Sequence, residues 1–129
     1  MAQFPALPLW TDAQKVHGVL VEDGWCSPDT YCNFFAPFID NSAVYLFLLH
    51  RRSDDYRTAM VAYVGMSTRL TQRMASHDVL PELYTPDCWP MRWFKPTPAE
   101  KLRETERKYI VRFDPPWNIV GQRRGVDLS

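Results

Sequence analysis

Three short runs of aliphatic and aromatic residues predict β-strands. Residues 43–50 and 59–64 are rich in residues that favour strands, and a polar connection at residues 53–55 separates them. These two runs predict an antiparallel hairpin with a long tip, and residues 91–95 predict a third short strand. The pattern therefore predicts a small three-stranded antiparallel sheet.

Helices are predicted both before and after the hairpin in the sequence. Residues 11–21 predict a short amphipathic helix capped by Thr11, and a second helix is predicted to follow Gly65 and to end near His77. The segment 78–90 contains three prolines, which predicts a surface loop without regular structure.

The third helix has the clearest start in the chain. Thr97 and Glu100 have the spacing of a capping box, and Pro98 suits the first helical turn. The helix is predicted to run to about Phe113 and to end before Pro115. Together these elements predict an α/β chain of the α+β type, in which a small antiparallel sheet is flanked by helices.

The length of the chain suits one domain. Its 129 residues can bury a core without disulfides or a structural metal. We divide it into an N-terminal extension, residues 1–41, packed on a domain formed by residues 42–129. No apolar run has membrane-spanning length, and the start lacks the basic and then apolar pattern of a signal peptide. A cytoplasmic protein without membrane association is therefore expected.

Three cysteines give no disulfide framework and no zinc-type pair. Cys26, Cys32 and Cys88 are odd in number and too widely spaced for a Cys-x2-Cys motif. Reduced, packed thiols are the favoured interpretation. The alternative is that Cys26 and Cys32 bind a metal together with His17 or His50.

Charge is distributed unevenly although the formal net charge is zero. The first 41 residues carry five acidic residues and one lysine, a balance of −4, and the remainder carries 14 basic and 10 acidic residues, a balance of +4. A cationic surface is what a nucleic-acid-binding protein needs to neutralise phosphates. Ordinary scatter of surface charge is the alternative explanation.

Glu106 stands out because it interrupts an apolar helix face. Leu102 and Ile110 lie four residues on either side of it on the inner face of the third helix. A carboxylate buried there without a partner costs several kcal/mol, so it must be paired with a cation, bind a metal or be protonated. The residues alone favour an ion pair with an arginine over a metal site.

Cationic residues in the second predicted helix point to phosphate chemistry. Arg69, Arg73 and His77 are spaced by four residues, which places them on one helix edge beside the end of the strand that carries Tyr63. A guanidinium can contact two non-bridging phosphate oxygens. Taken singly, these residues are better explained as exposed helix residues, and Tyr45 and Tyr63 as packing residues of strands.

Taken together, the motifs occur in the order of a known nuclease set. They are Ala43-Val44-Tyr45, Tyr63-Val64-Gly65, Arg73 with His77, Glu106, and Asn118 after two prolines. This set resembles the GIY-YIG nuclease superfamily, which includes homing endonucleases, some restriction enzymes and the incision subunit of bacterial excision repair. The resemblance covers about residues 43–119.

The resemblance implies a divalent-metal-dependent endonuclease that hydrolyses DNA phosphodiester bonds. Tyr63 is expected to activate water, with Tyr45 and His77 orienting it or relaying the proton, because an unperturbed phenol has a pKa near 10 and needs help to act as a base. Arg73 would stabilise charge on the five-coordinate phosphorus.

The same resemblance assigns a metal and a structural residue. Glu106 matches the position that binds Mg²⁺ or Mn²⁺, an assignment that suits the preference of Mg²⁺ for oxygen ligands and retained water. Asn118 matches the terminal asparagine and is expected to hold the geometry of the site. Gly65 is expected to allow a turn into the helix or a close approach of substrate.

Nucleic-acid contacts are expected on the cationic side chains and one ring. Arg69, Arg73, Arg51 and Arg52 would meet phosphates, and Trp89 is a candidate for base stacking. DNA is the expected partner and RNA is left open, as is targeting through a homodimer or a partner protein.

The chain departs from the family pattern in several places, among them Val44 and Val64 in place of isoleucine and a wider spacing of Tyr45 and Tyr63. Ala43 replaces a glycine of the first motif, and Met66 stands where some members carry a lysine, for which Arg69 is a substitute. A catalytically inactive nucleic-acid-binding module on the same fold is therefore the alternative function. The acidic extension could also act as a regulator that masks the basic face.

Overall fold

A computed structural model describes residues 10–27, 42–77 and 79–118 of the chain. Its centre is one antiparallel sheet of four strands in the order β1-β3-β2-β4. The strands are β1 (Thr11–Asp12), β2 (Ala43–Arg51), β3 (Thr58–Ser67) and β4 (Cys88–Pro96). The α+β fold and the predicted hairpin are confirmed. The predicted count of three strands is wrong, because the prediction missed β1. This strand is a pair of polar, exposed residues, which is too short to show the alternating pattern of a strand.

Helices cover both faces of the sheet. They are α1 (Ala13–Glu22), α2 (Leu70–Ala75) and α3 (Leu102–Phe113). Leu20, Leu102 and Tyr109 pack with one set of sheet residues, so we call this side the α1/α3 face. Leu70 and Met74 pack on the other side, which we call the α2 face. Among the described residues, no helix is long and apolar enough to cross a membrane.

Strand β2 is buried along almost its whole length because β3 and β4 flank it and helices cover both faces. Its side chains alternate between the two faces. Val44, Leu46 and Leu48 lie on the α1/α3 face, whereas Tyr45 and Phe47 lie on the α2 face. This explains why its sequence is a continuous apolar run and not an alternating pattern.

A β-bulge in β3 sets which side chains face the candidate site. Phe47 pairs with Tyr63 and the next residue of β2, Leu48, pairs with Val61, so Ala62 is the extra residue. Val61 and Tyr63 are two residues apart, yet Val61 packs on the α1/α3 face and Tyr63 on the α2 face. Because of the bulge, Val61 packs on the α1/α3 face, whereas Tyr63 lies beside Tyr45 on the α2 face.

Helix starts differ in detail from the sequence prediction. Asp12, not Thr11, caps α1 by accepting a hydrogen bond of 2.8 Å from the Gln14 amide. The capping box at Thr97 does not form, because the Thr97 hydroxyl donates to the Lys95 carbonyl oxygen at 2.8 Å and α3 begins only after a 3-10 turn at Ala99–Lys101. The end of α3 at Phe113 is confirmed.

The middle of the chain is more ordered than its prolines predicted. Within residues 78–90, Leu80–Leu83 form a 3-10 turn whose leucines are buried, and β4 already begins at Cys88. Pro90 lies inside β4, which is tolerated because β4 is the edge strand of the sheet. The prediction of a surface loop is therefore wrong over these stretches.

The described part of the N-terminal segment belongs to the core. Ala13, Leu20 and Trp25 are buried on the α1/α3 face. The Asp23 carboxylate accepts a hydrogen bond from the Tyr109 hydroxyl at 3.0 Å and forms an ion pair with Arg112 at 2.7 Å. These contacts join the end of α1 to α3, so a truncation of this segment would remove core side chains as well as acidic charge.

Leu46 provides a direct test of the core. Its side chain is 0 % exposed and its strand partners are Val64 and Trp93. We expect Leu46→Ala to lower the free energy of unfolding by about 2–5 kcal/mol, because a large cavity replaces the lost side chain. Val111→Ala is the control on a residue that is 76 % exposed. Urea denaturation of both variants gives the comparison, and equal midpoints would contradict this packing.

Candidate active site

Tyr45 is the centre of an aromatic cluster on the α2 face. The residue is 2 % exposed, and its hydroxyl oxygen is 2.7 Å from Nε2 of His77. The His77 ring centroid lies 5.4 Å from that of Tyr45, 4.9 Å from Phe47 and 5.2 Å from Tyr63. Residues from β2, β3 and the segment after α2 therefore meet at one point, as the resemblance implied for the two tyrosines and the histidine.

His77 reaches this cluster from outside the helix. Helix α2 ends at Ala75, so the expected alignment of Arg69, Arg73 and His77 on one helix edge is wrong. The Val79 amide donates a hydrogen bond of 3.1 Å to Nδ1 of His77. Because Nδ1 accepts, the neutral ring carries its proton on Nε2, and that N–H donates to the Tyr45 oxygen.

Arg73 supplies the positive charge next to Tyr45. It lies in α2, and its guanidinium makes a side-chain hydrogen bond with Tyr45 that favours the phenolate. Burial nevertheless dominates and raises the pKa of Tyr45 far above its usual range, with a smaller contribution from Tyr63. Tyr45 is therefore a neutral phenol that receives hydrogen bonds, whereas Tyr63 is only partly buried.

Gly65 is required for space and not for a turn. It lies inside β3 directly opposite Tyr45, and a Cβ atom on it would stand 2.5 Å from Cζ and 2.9 Å from Cε1 of the tyrosine. Atoms cannot approach so closely, so any side chain at Gly65 would displace the Tyr45 ring. The expected strand-to-helix turn at Gly65 is wrong, because β3 continues to Ser67.

Asn118 holds the strand beside the site. It is buried, its Oδ1 accepts from the Val64 amide at 2.7 Å, and its Nδ2 donates to the Val64 carbonyl oxygen at 2.8 Å. The side chain thus satisfies both backbone groups of Val64, as a neighbouring strand would. Asn118 acts on the residue before Gly65 and not on the tyrosines themselves.

Glu106 lies on the wall of a cavity between α3 and Met66 of β3. The cavity has a volume of about 440 Å³ and is lined by Met66, Arg103, Glu106, Arg107 and Ile110. Burial raises the pKa of Glu106, and the charges of Arg103 and Arg107 lower it in part. The Glu106 carboxylate also raises the pKa of Tyr45 slightly, which places its charge within electrostatic reach of the phenol.

Glu106 is the side chain in this cavity that could hold a magnesium ion. Glu106 offers hard oxygen donors, and the adjoining cavity of about 440 Å³ has room for the water molecules that Mg²⁺ retains. Among the described residues no three His, Cys, Asp or Glu side chains form a metal-binding group. A site built entirely from protein ligands, as zinc prefers, is therefore not present at Glu106 in that part of the chain.

Arg103 and Arg107 were missed by sequence reasoning. They lie three residues before and one residue after Glu106, and both line its cavity. Met66, which replaces a lysine of the family pattern, lines the same cavity. The signal that could have found them is the position of Arg103, three residues before Glu106 and four before Arg107, because neighbouring turns of α3 place side chains at these spacings together.

The arginines of the hairpin tip form a separate cluster. Arg51 lies over the Trp10 ring at 5.1 Å, and Arg52 lies over the Trp89 ring at 5.8 Å. Tyr56, which is 40 % exposed, has its ring centroid 5.4 Å from that of Trp89. Arg51 is six residues along β2 from Tyr45, roughly 20 Å away. The structure therefore places Arg51, Arg52 and Trp89 together but apart from the tyrosines, and Arg69 on the exposed surface before α2.

Cys26 and the histidines of the alternative metal site lie on opposite faces of the sheet. Cys26 packs on the α2 face, whereas His50 follows Leu48 on the α1/α3 face and His17 contacts Trp93 there. Cys26 and Cys88 are free thiols. Cys32 lies outside the described residues.

Comparisons with protein-family models, with curated proteins and with solved structures give no match for this chain.

Gly65 and Gly18 form a matched pair of substitutions. Gly65→Ala should destabilise the protein by about 1–3 kcal/mol, because the new methyl group overlaps the Tyr45 ring. Gly18, in α1, has nothing within 4 Å of an added Cβ, so Gly18→Ala should stabilise by about 0.5–1 kcal/mol. Denaturant unfolding of both variants measures the contrast. Equal effects of the two changes would show that Gly65 is not needed for space.

Glu106 gives a test that depends on pH. Burial raises its folded pKa above the unfolded value, so its contribution to stability is present at low pH and is lost as pH rises through the folded pKa. Without metal, Glu106→Gln should therefore be more stable than the wild type near pH 7, and this advantage should shrink near pH 4. The control is Glu104→Gln, which replaces an exposed carboxylate of the same helix.

Proposed function

We propose that this protein is a divalent-metal-dependent endonuclease of the GIY-YIG type that hydrolyses DNA phosphodiester bonds. The observation that carries the proposal is the buried Tyr45–His77 hydrogen bond of 2.7 Å, with the Tyr63 ring and the Arg73 guanidinium beside it. Packing alone does not require a tyrosine, a histidine and an arginine to meet at one oxygen. Phosphodiester hydrolysis uses all three side-chain types.

Tyr63 is the residue we assign to water activation. A general base must reach the attacking water, and Tyr63 is partly exposed whereas Tyr45 is almost fully buried. The raised pKa of Tyr45 keeps that phenol protonated, so it orients its neighbours and does not remove a proton itself. His77 fixes the Tyr45 oxygen through its Nε2–H.

Arg73 is assigned to the phosphate. Its guanidinium has five N–H donors, so it can keep a hydrogen bond to Tyr45 and still contact non-bridging oxygens of a phosphate. The added negative charge of the five-coordinate phosphorus strengthens that contact, which is the requirement for lowering the barrier. The positive charge of the Arg73 guanidinium would also help Tyr63 lose its proton.

Glu106 is assigned to the metal. A bound Mg²⁺ supplies a Lewis acid that polarises a phosphoryl oxygen. Arg103 and Arg107 favour the ionised carboxylate, which is the form that can hold a cation, and their charges on the cavity wall suit the phosphates that flank the cleaved bond. Met66 supplies no charge there, so these two arginines take the place of the lysine found in some family members.

DNA binding would extend from the tyrosines toward the hairpin tip. Arg51, Arg52 and Trp89 lie roughly 20 Å from Tyr45, about the length of six base pairs. The tip also carries Asp54 and Asp55, so its charge is mixed and stacking on Trp89 or Tyr56 is the better-supported contact. Targeting through a homodimer or a partner protein, and a cytoplasmic location, belong to the same proposal.

Nuclease assays test the proposal directly. The purified chain is incubated with plasmid, linear, single-stranded and branched DNA, and with RNA, in Mg²⁺, in Mn²⁺ and in chelator. We expect metal-dependent cutting that Glu106→Gln abolishes and that Tyr63→Phe reduces by about 100-fold or more. Glu104→Gln, the exposed control on α3, should cut at the wild-type rate.

The alternative function makes a distinct prediction. A catalytically inactive binding module would bind nucleic acid with equal affinity before and after Glu106→Gln and would cut no substrate. The raised pKa of Tyr45 and the zero formal charge are the observations that favour it. Folded protein without cutting on any substrate, but with salt-dependent binding, would therefore replace the nuclease proposal with this one.

A further inference from the structure

Two of the three histidines of the chain meet far from Tyr45. His17 lies in α1 and His50 near the end of β2, and their ring centroids are 5.6 Å apart with an interplanar angle of 66°. The Trp93 ring covers His17 at 5.4 Å. This pair joins the N-terminal segment to the central strand on the α1/α3 face.

Three of the four ring nitrogens of this pair are buried without a hydrogen-bond partner among the described residues. Nε2 of His17 and both ring nitrogens of His50 are buried and make no hydrogen bond within the described residues. Burial lowers the pKa of His50, and the Tyr56 backbone beside the ring partly offsets that lowering. His50 is 3 % exposed, so bulk water does not compensate. Buried polar atoms without partners are rare and often mark the position of a water or an ion.

We propose that His17 and His50 form a binding site for a borderline divalent transition-metal ion such as Zn²⁺. Two imidazoles that share one zinc ion at 2.0–2.1 Å per nitrogen place their ring centroids about 5 Å apart. The observed 5.6 Å is close to that separation, so a small ring movement suffices. Imidazole is a preferred ligand of zinc, copper and nickel but not of magnesium.

Local electrostatics and space favour such an ion. Desolvation by burial lowers the pKa of both histidines, which keeps the rings neutral with a lone pair to donate. A cavity of about 490 Å³ adjoins His17, and Asp12 and Asp55 lie on its wall. No third His, Cys, Asp or Glu completes a metal group among the described residues, so water from this cavity supplies the remaining ligands.

The proposed ion would lock α1 onto β2. It differs from the metal assigned to Glu106 in ligand type and in position. The His17–His50 site offers ring nitrogens near the hairpin tip, whereas Glu106 offers a carboxylate in the cavity that Met66 lines. The two-histidine site therefore does not depend on the nuclease proposal and can be tested with that metal position removed.

The experiment is a titration of metal-free full-length protein carrying Glu106→Gln, in excess Mg²⁺, with Co²⁺ followed by visible absorption and with Zn²⁺ followed by calorimetry. His17→Gln and His50→Gln are the test variants. His77→Gln is the matched control, because it removes the third histidine, on the opposite face. Circular dichroism checks that each variant is folded, and the partly exposed His17 keeps the test decisive if His50→Gln does not fold.

We expect one equivalent of metal bound by the parent protein and by His77→Gln, a rise in Tm with Zn²⁺, and at least tenfold weaker binding in His17→Gln. No binding by the parent would show that the pair holds water or is packed dry, and it would overturn the proposal. Equal binding by His17→Gln, or a sulfur-to-cobalt charge-transfer band, would place the ion elsewhere and also overturn it.

Discussion

The close approach of Tyr45 to Gly65 is the constraint on which the candidate site depends. Tyr45 comes from the middle of the sheet, so its hydroxyl reaches Nε2 of His77 only if its ring lies across the neighbouring strand. A glycine at position 65 leaves the room for that ring, and Asn118 fixes the backbone one residue earlier. The contacts of Arg73 and His77 with the phenol follow from this position, because both side chains converge on its oxygen.

Burial has the largest effect on the ionisable groups of the candidate site, and it disfavours their charged forms. Desolvation raises the pKa of Tyr45, which keeps it a neutral phenol, and the pKa of Glu106, whose charged form is the one that would hold a metal. Arg73 opposes the shift at the phenol, and Arg103 and Arg107 oppose it at the carboxylate. Opposing effects on the pKa of one group are typical of functional sites, which lower the stability of the free protein until a substrate or an ion binds.

The two faces of the sheet differ in the residues that they carry. The α2 face carries the tyrosines and His77, whereas the α1/α3 face carries a separate part of the aliphatic core and the His17–His50 pair. The bulge at Ala62 reconciles these demands, since it changes the facing of β3 between Val61 and Tyr63. One inserted residue therefore decides that Tyr63 stands beside Tyr45 and not within the aliphatic core.

Sequence by itself determined the hairpin and the end of α3 before Pro115, because strand-forming runs and prolines act locally. It could not determine strand β1, since two polar residues carry no period, nor the failure of the Thr97 capping box, where the Lys95 carbonyl competes for the hydroxyl. Tertiary structure alone decided that the Tyr45 ring fills the space at Gly65 and that His77 meets Tyr45 from outside α2. The physical reason is that these features depend on contacts between segments distant in the chain, whose distances no local pattern encodes.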